Sequence, residues 1–365
     1  MWTLHPIEFA DLPDWASDDH IAALNAFALQ TRKPSNETYR QGALGIAPWC
    51  LDELAEKANC DQARQAPRAF FEENFTAFSL SNSDGQAGQV TAFYEPEVEA
   101  QLERGGPFQF PILRRPSDLV ALSDDNRPAE LDESYRFGRI LGDGSVGAYF
   151  DRAQINAGAL DGTTMAIAFV KDPIEAFFIH IQGAARLKLQ NGTVIRITYD
   201  GKSGHPFTPI GKLLVQRGEI DADNISMQTI KAWLRSNSHR AKPLMEENKS
   251  YIFFKISEDA DQALGPVAAA KVPLTAGRSL AVDRLVHTFG TPIFVHGDDV
   301  NEKSFARLMI AQETGTAIVG PARGDIFFGS GEKAGEIAGA VNSRCDFTVL
   351  IPRTAELEPG RVSSL

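Results

Sequence analysis

Through roughly the first 80 residues, apolar side chains recur at helical spacing; beyond them they fall into short runs cut by glycine and proline. In DDHIAALNAFALQ, Ile21, Leu24, Phe27 and Ala28 share one face, with Ser17 as the expected N-cap. Pro48 opens a second helix carrying Leu51, Leu54, Ala55 and Ala58. Pro67 opens a third carrying Phe70, Phe71 and Phe75. Proline suits a first turn, where its missing N–H has no intrahelical partner to lose.

After Ser81 the texture changes. SNSDGQAGQ is a turn-rich loop, and QVTAFYEP, FQFPILRRP, TMAIAFV, AFFIHIQG, ARLKL and TVIRITY read as strands. Asn191-Gly192 inside LQNGTV predicts a hairpin. Helices are predicted again at SMQTIKAWLRSN, with Ile230, Trp233 and Leu234 facing inward, and at HRAKPLMEEN. Strands resume at SYIFFKI, RSLAVDR, TPIFVHG, ARLMIAQ, GDIFFG and FTVLIP. Short strands at close spacing favour barrel or sandwich packing over βαβ units. The order helices, β, helices, β is compatible with one β domain inserted into another.

Length and composition narrow the picture. A chain of 365 residues is long enough for about two domains. With 43% hydrophobic and 23% charged residues it is neither disordered nor a membrane bundle. No run approaches the ~18 apolar residues of a membrane span. MWTLHPIEFADLPDW has no basic segment followed by an apolar run, so it does not read as a signal peptide; either the chain is cytosolic or a targeting segment lies outside this sequence. A net charge of −12 without clustered Lys and Arg argues against nucleic acid and for a neutral or zwitterionic substrate.

Cofactor chemistry finds little support. Cys50, Cys60 and Cys345 form no CxxC pattern, and the seven histidines form no HExxH, so no metal is expected. Cys50 and Cys60 could pair in an oxidising compartment, or all three could be buried thiols. GDGSVG, Gly142–Gly147, lacks the helix a phosphate loop needs, so no nucleotide is expected either. Arg323-Gly324-Asp325 spells an adhesion tripeptide, but three-letter matches arise by chance and this one is set among apolar residues.

The carboxylates carry more. Asp325 heads the apolar run Ile326-Phe327-Phe328, where burial would raise its pKa as a general acid at neutral pH requires. Glu313 ends RLMIAQ and Asp283 ends RSLAV in the same way. Three acids at strand ends could converge, or each could simply cap a strand and face water. Tyr94-Glu95, His180 with Gln182, Tyr199 to His205, and Trp233 are candidates for sugar contacts; Trp233 and His180 read equally as core residues.

Several segments together resemble one family, the membrane-bound lytic murein transglycosylases of type A. They include TAFYEPEVEA (91–100), PILRRPSDLV (111–120), FDRAQINAGAL (150–160), DPIEAFFIHIQGAARLKL (172–189), YDGKSGHPFTPIGKLL (199–214) and LMIAQETGTAIVGPARGDIFFGSGEKAG (308–335). The resemblance implies a mainly β protein with N-terminal helices. A double-psi β-barrel domain would be built from both chain ends, residues 1–96 and 247–365, with a smaller β-barrel domain inserted at 97–246 and a glycan groove between them.

It further implies cleavage of the β-1,4 bond between MurNAc and GlcNAc of peptidoglycan, without metal or cofactor. Asp325 would be the acid/base, accompanied by Asp283 and Glu313 of the three-aspartate module. Thr91, Tyr94, Glu95, Gln182, Gly183, Lys202, His205 and Gly315 would contact sugar. The implied setting is the periplasm, as a monomer with outer-membrane association. The alternatives are a non-catalytic, expansin-like glycan binder and a murein hydrolase using Glu313 as base. Three positions depart from the family pattern: Glu313 stands for an aspartate, Thr316 for a glycine, and Phe93 where tyrosine is usual.

Overall fold

Capping residues set the N-terminal helices. Asp19 Oδ1 accepts a hydrogen bond from Ala22 N at 3.1 Å and so caps the helix His20–Ala28. Ser17, the expected cap, instead donates its hydroxyl to the Asp14 carbonyl. Pro48 and Pro67 open the helices Pro48–Ala58 and Pro67–Asn74 as predicted, with the short helix Asp61–Gln65 between them. Phe27 gathers Phe70, Phe71 and Phe75 around it, with ring centroids 5.9–6.2 Å away. These helices connect β1 (Trp2–Ile7) to its antiparallel partner β2 (Phe75–Asn82), which is followed by β3 (Gly88–Glu95). The structure, a computed structural model, describes residues 2–82, 87–162, 165–257, 261, 263–297, 300 and 304–355.

The chain divides into two compact units. One comprises residues 1–94, 261–329 and 333–365; the other comprises 95–260 and 330–332. The strands of the second unit are β4 (Glu97–Gln101), β5 (Phe110–Leu113), β6 (Leu119–Ala121), β7 (Phe137–Ile140), β8 (Val146–Gly147), β9 (Ala166–Val170), β10 (Ala184–Leu189), β11 (Val194–Lys202) and β12 (Ile252–Ile256). Six of them form a sheet in the order β12-β11-β10-β4-β9-β5, and β6-β7-β8 form a separate small sheet. The core of the larger sheet is apolar, with Ala100, Ile112, Ala168, Leu187, Ile197 and Phe254 fully buried. The hairpin at Asn191-Gly192 is present: Gly192 takes φ 84°, and Asn191 Oδ1 accepts from Thr193 N at 2.9 Å.

Two expectations change in this unit. AFFIHIQG, read as a strand, is the helix Pro173–Gln182. Its β-forming composition is overruled by its ends: Asp172 caps Ile174 N, Pro173 takes the first turn, and Gly183 at φ 75° closes the helix. The unit also extends past the expected limit at residue 246, because β12 pairs antiparallel with β11.

The first unit resumes with β13 (Ser279–Val282), β14 (Pro292–Gly297), β15 (Phe305–Glu313), β16 (Arg323–Ser330) and β17 (Asn342–Pro352). Its sheet runs β1-β2-β17-β14-β15-β13-β16-β3, with a further pairing of β17 to β3. That pairing joins β17, β14, β15, β13, β16 and β3 into a closed circuit, which leaves those strands no unpaired edge between them. The length of β17 makes closure possible: Asn342–Cys345 pair with β3, while Phe347–Pro352 pair with β2. The fold is mainly β, with helices concentrated in the N-terminal segment and around the second sheet.

Candidate active site

β16 carries Asp325 into the closed circuit. Gly324 and Ile326 pack on one face of the strand, so Asp325 and Phe327 share the other. Phe327 is buried there with Ala268, Leu274 and Phe93, the Phe93 ring lying 5.3 Å away. Asp325 is thus half-buried beside an aromatic cluster, as the sequence suggested.

Register brings a second acid alongside. Ala281 on β13 pairs with Asp325 of β16 on one side and with Glu313 of β15 on the other. Two inter-strand spacings put the backbones of the two acids roughly 10 Å apart. Asp283 goes elsewhere. It lies just past the end of β13, and its carboxylate accepts from Leu285 N at 2.9 Å and Gly320 N at 2.8 Å, tying two loops together. Of the three acids, two flank Ala281 from the strands on either side and the third organises a turn.

The immediate partner of Asp325 is Thr91 on β3, whose hydroxyl lies 2.5 Å from Oδ1. Arg323, two residues before Asp325 on the same strand, donates from Nη2 to that hydroxyl oxygen at 2.7 Å. Burial raises the Asp325 pKa, opposed by the Thr91 hydrogen bond and by the Arg323 charge. Glu313 is pushed up to about 7, again chiefly by burial, against hydrogen bonds from Thr314 N (2.7 Å) and Ala269 N (3.1 Å) and the charge of Lys271. Desolvation, not repulsion between the two acids, lifts both.

The raised Glu313 pKa has a stability consequence. The folded state keeps this proton over a range in which the unfolded chain has lost it. The contribution is therefore complete below pH ~4.5 and is lost as pH rises from there to about 7. In denaturant titrations across that range, Glu313→Gln should show a flatter dependence of stability on pH than the wild type.

Other expected contacts fall variously. Tyr94 is buried, its ring against Gly335. Gly315 lies in an exposed turn, its carbonyl accepting from Ile318 N. Glu95 belongs to the second unit and is fully buried: its oxygens accept from Arg186 and Arg196, and from the Ser330 hydroxyl at 2.6 Å. Gln182 and Gly183 form the end of the helix Pro173–Gln182.

Lys202 ends β11, and burial together with the Arg136 charge lowers its pKa. His205 is buried with Nε2 2.8 Å from the Tyr149 carbonyl. Between them Gly204 takes φ 86°, and a Cβ there would lie 2.0 Å from the Phe137 carbonyl oxygen, which accounts for glycine in DGKSGHP. His180 is buried, with Nδ1 3.0 Å from Arg152. Cys50 and Cys345 are buried free thiols, and Cys60 is an exposed one.

Sequence reading missed Arg323, absorbed into a tripeptide match. The available signal was strand periodicity, which puts residues 323 and 325 on one face.

Residues 89–255 match the model described as the MltA specific insert domain, and residues 278–351 match the 3D domain. The solved membrane-bound lytic murein transglycosylase from Agrobacterium tumefaciens is 46% identical, with a TM-score of 0.89, covering 96% of this chain and 98% of that one. The chain belongs to the membrane-bound lytic murein transglycosylase A family.

A second MltA structure, from Neisseria gonorrhoeae, is 32% identical at a TM-score of 0.80, covering 98% of this chain and 94% of that one. Membrane-bound lytic murein transglycosylase A of Escherichia coli strain K12 is 31% identical over 276 residues, which span 73% of this chain and 66% of that protein. The MltA insert match ends at residue 255, within β12, in accord with the pairing of that strand to β11.

Proposed function

We propose that this protein is a peptidoglycan lytic transglycosylase in which Asp325 is the single acid/base. The observation that carries the reading is the state of Asp325: a half-buried carboxyl whose pKa is raised by burial, anchored through one oxygen by Thr91. Among the described residues no second carboxylate is hydrogen-bonded to it. The family's relatives are named for this activity.

One acid suffices for this chemistry. Inverting glycosidases need a base ~6.5–9.5 Å from the acid to activate water, and retaining enzymes need a nucleophile at ~5–5.5 Å. Here the C6 hydroxyl of the MurNAc residue attacks its own C1. Asp325 gives its proton to the glycosidic oxygen as the bond to C1 breaks. The carboxylate so formed takes the proton from the C6 hydroxyl as the new C1–O6 bond closes. The products are a free GlcNAc 4-hydroxyl and a 1,6-anhydromuramyl end, with no water consumed and Asp325 reprotonated. Glu313, held by two backbone N–H groups, supports the local backbone in this reading. We assign the closed strand circuit to the double-psi arrangement, a sugar contact to Thr91, and the place of action to the periplasmic cell envelope.

Incubation of the protein with murein sacculi, followed by mass analysis of the released muropeptides, tests the reading. Anhydro ends are expected. Reducing ends would overturn it in favour of hydrolysis with Glu313 activating water, and no release at all would leave a glycan binder.

A further inference from the structure

Arg323 sits two residues from the acid yet makes no ion pair with it; its contact runs through Thr91. Nη2 lies 2.7 Å from Thr91 Oγ1, and that oxygen lies 2.5 Å from Asp325 Oδ1. A guanidinium can only donate, so the Thr91 oxygen must accept from it. Accepting from a cation polarises the hydroxyl, making it a stronger donor and a weaker second acceptor, so the threonine hydrogen is directed at Asp325. Oδ1 then acts as the acceptor, and a proton on the neutral acid rides on Oδ2.

We infer that Arg323 is a positioning residue which, through Thr91, fixes the exchangeable proton of Asp325 on Oδ2. Resting on the acid/base reading above, this assignment explains how one carboxyl can give and retake a proton at the same atom. Without the arginine, the threonine hydroxyl could turn and accept from a protonated Oδ1, which would aim the proton at the protein instead of the sugar. The second Nη of Arg323 bonds the Gly324 carbonyl, which locks the guanidinium along the strand.

The surrounding charges are few. From β16 the acid faces Arg323, and from β3 only the neutral Thr91. From β13 it faces Ala281, with Asp283 turned into its loop contacts. Glu313 stands across Ala281 on β15, with Lys271 toward it. Arg323 is thus the cation coupled to Asp325, and it holds the raised pKa below where burial alone would set it.

The test is a carboxyl 13C NMR titration of protein labelled at aspartate, with the Asp325 signal identified by its loss in Asp325→Asn. In Arg323→Met the Asp325 midpoint should move to higher pH by about one pH unit, since both a cation and an oriented donor are lost. Arg323→Lys, which keeps a donor and a charge, should recover most of the shift. Thr91→Val should move the midpoint in the same direction, and combining it with Arg323→Met should add little, because the two act in series.

With sacculi, the alkaline limb of the pH–rate profile should follow the NMR midpoint, and turnover in Arg323→Met should fall about tenfold, within the range ascribed to positioned acids and bases. An unmoved midpoint in both Arg323→Met and Thr91→Val overturns the inference even if the protein proves active. A moved midpoint upholds it even if the products prove not to be anhydro-ended. Equal losses in Arg323→Lys and Arg323→Met, tracking only a fall in Tm, would make Arg323 a merely structural residue and overturn it.

Discussion

Asp325→Asn should reduce the release of anhydro-ended muropeptides by about 10³-fold, within the range ascribed to a positioned general acid–base group. The amide is nearly isosteric and can still accept from the Thr91 hydroxyl through its oxygen, so the local hydrogen bond survives. What it lacks is a transferable proton, and both halves of the proposed cycle pass through that proton. The same substitution should not weaken the fold. Burial raises the Asp325 pKa, so ionising this group costs more in the folded protein than in the unfolded chain. The neutral amide never bears that cost. Thermal unfolding at pH 7–8 should therefore place the variant level with or above the wild type, the usual exchange of activity for stability at a functional site. A variant that kept its activity, or lost it only along with its fold, would count against the assignment.

Glu95→Ala should have the largest effect on stability, a loss of about 3–5 kcal/mol, the range for breaking a buried ion pair by removing one partner. The Glu95 side chain is wholly buried and faces Arg196, itself 7% exposed, and Arg186, 17% exposed. Contacts of 2.8 and 2.9 Å to the two guanidinium Nε atoms, with the Ser330 hydroxyl at 2.6 Å, spread the carboxylate over three donors. Truncation takes from two largely buried cations the carboxylate that accepts from both. Chemical denaturation would register the loss directly. This also separates two roles for the residue: a sugar contact would lower activity and leave Tm unmoved, whereas an internal anchor lowers Tm first. Replacing both arginines with methionine in the Ala background should recover part of the loss, because it removes two buried charges that have lost this carboxylate.

Much of the local structure was legible along the chain. Pro48 and Pro67 open helices, Asn191-Gly192 turns a hairpin, and the closing strands run where alternation put them. Each depends on backbone chemistry within a few residues, and such signals need no knowledge of the partner. The helix Pro173–Gln182 shows the limit: its interior is rich in β-formers, and only the caps at Asp172 and Gly183 reveal it. The ordered motifs also carried the family, because resemblance is itself a property of sequence.

Other features required the tertiary structure. Asp283, Glu313 and Asp325 look alike in sequence, each an acid at a strand end. Strand register puts the last two beside Ala281, and loop geometry turns Asp283 to Gly320 and Leu285. Glu95 follows Tyr94 in a segment expected to contact sugar, and only the fold places two arginines 91 and 101 residues away on its carboxylate. The alignment of Arg323 with Thr91 spans 232 residues of chain. Burial, register and the identity of a distant partner decide the charge state of a carboxyl, and none of the three is local. The sequence by itself determined which acids were available; the tertiary structure decided which of them is held half-buried and half-tethered, because only packing removes water from a side chain and only pairing across strands supplies its donor.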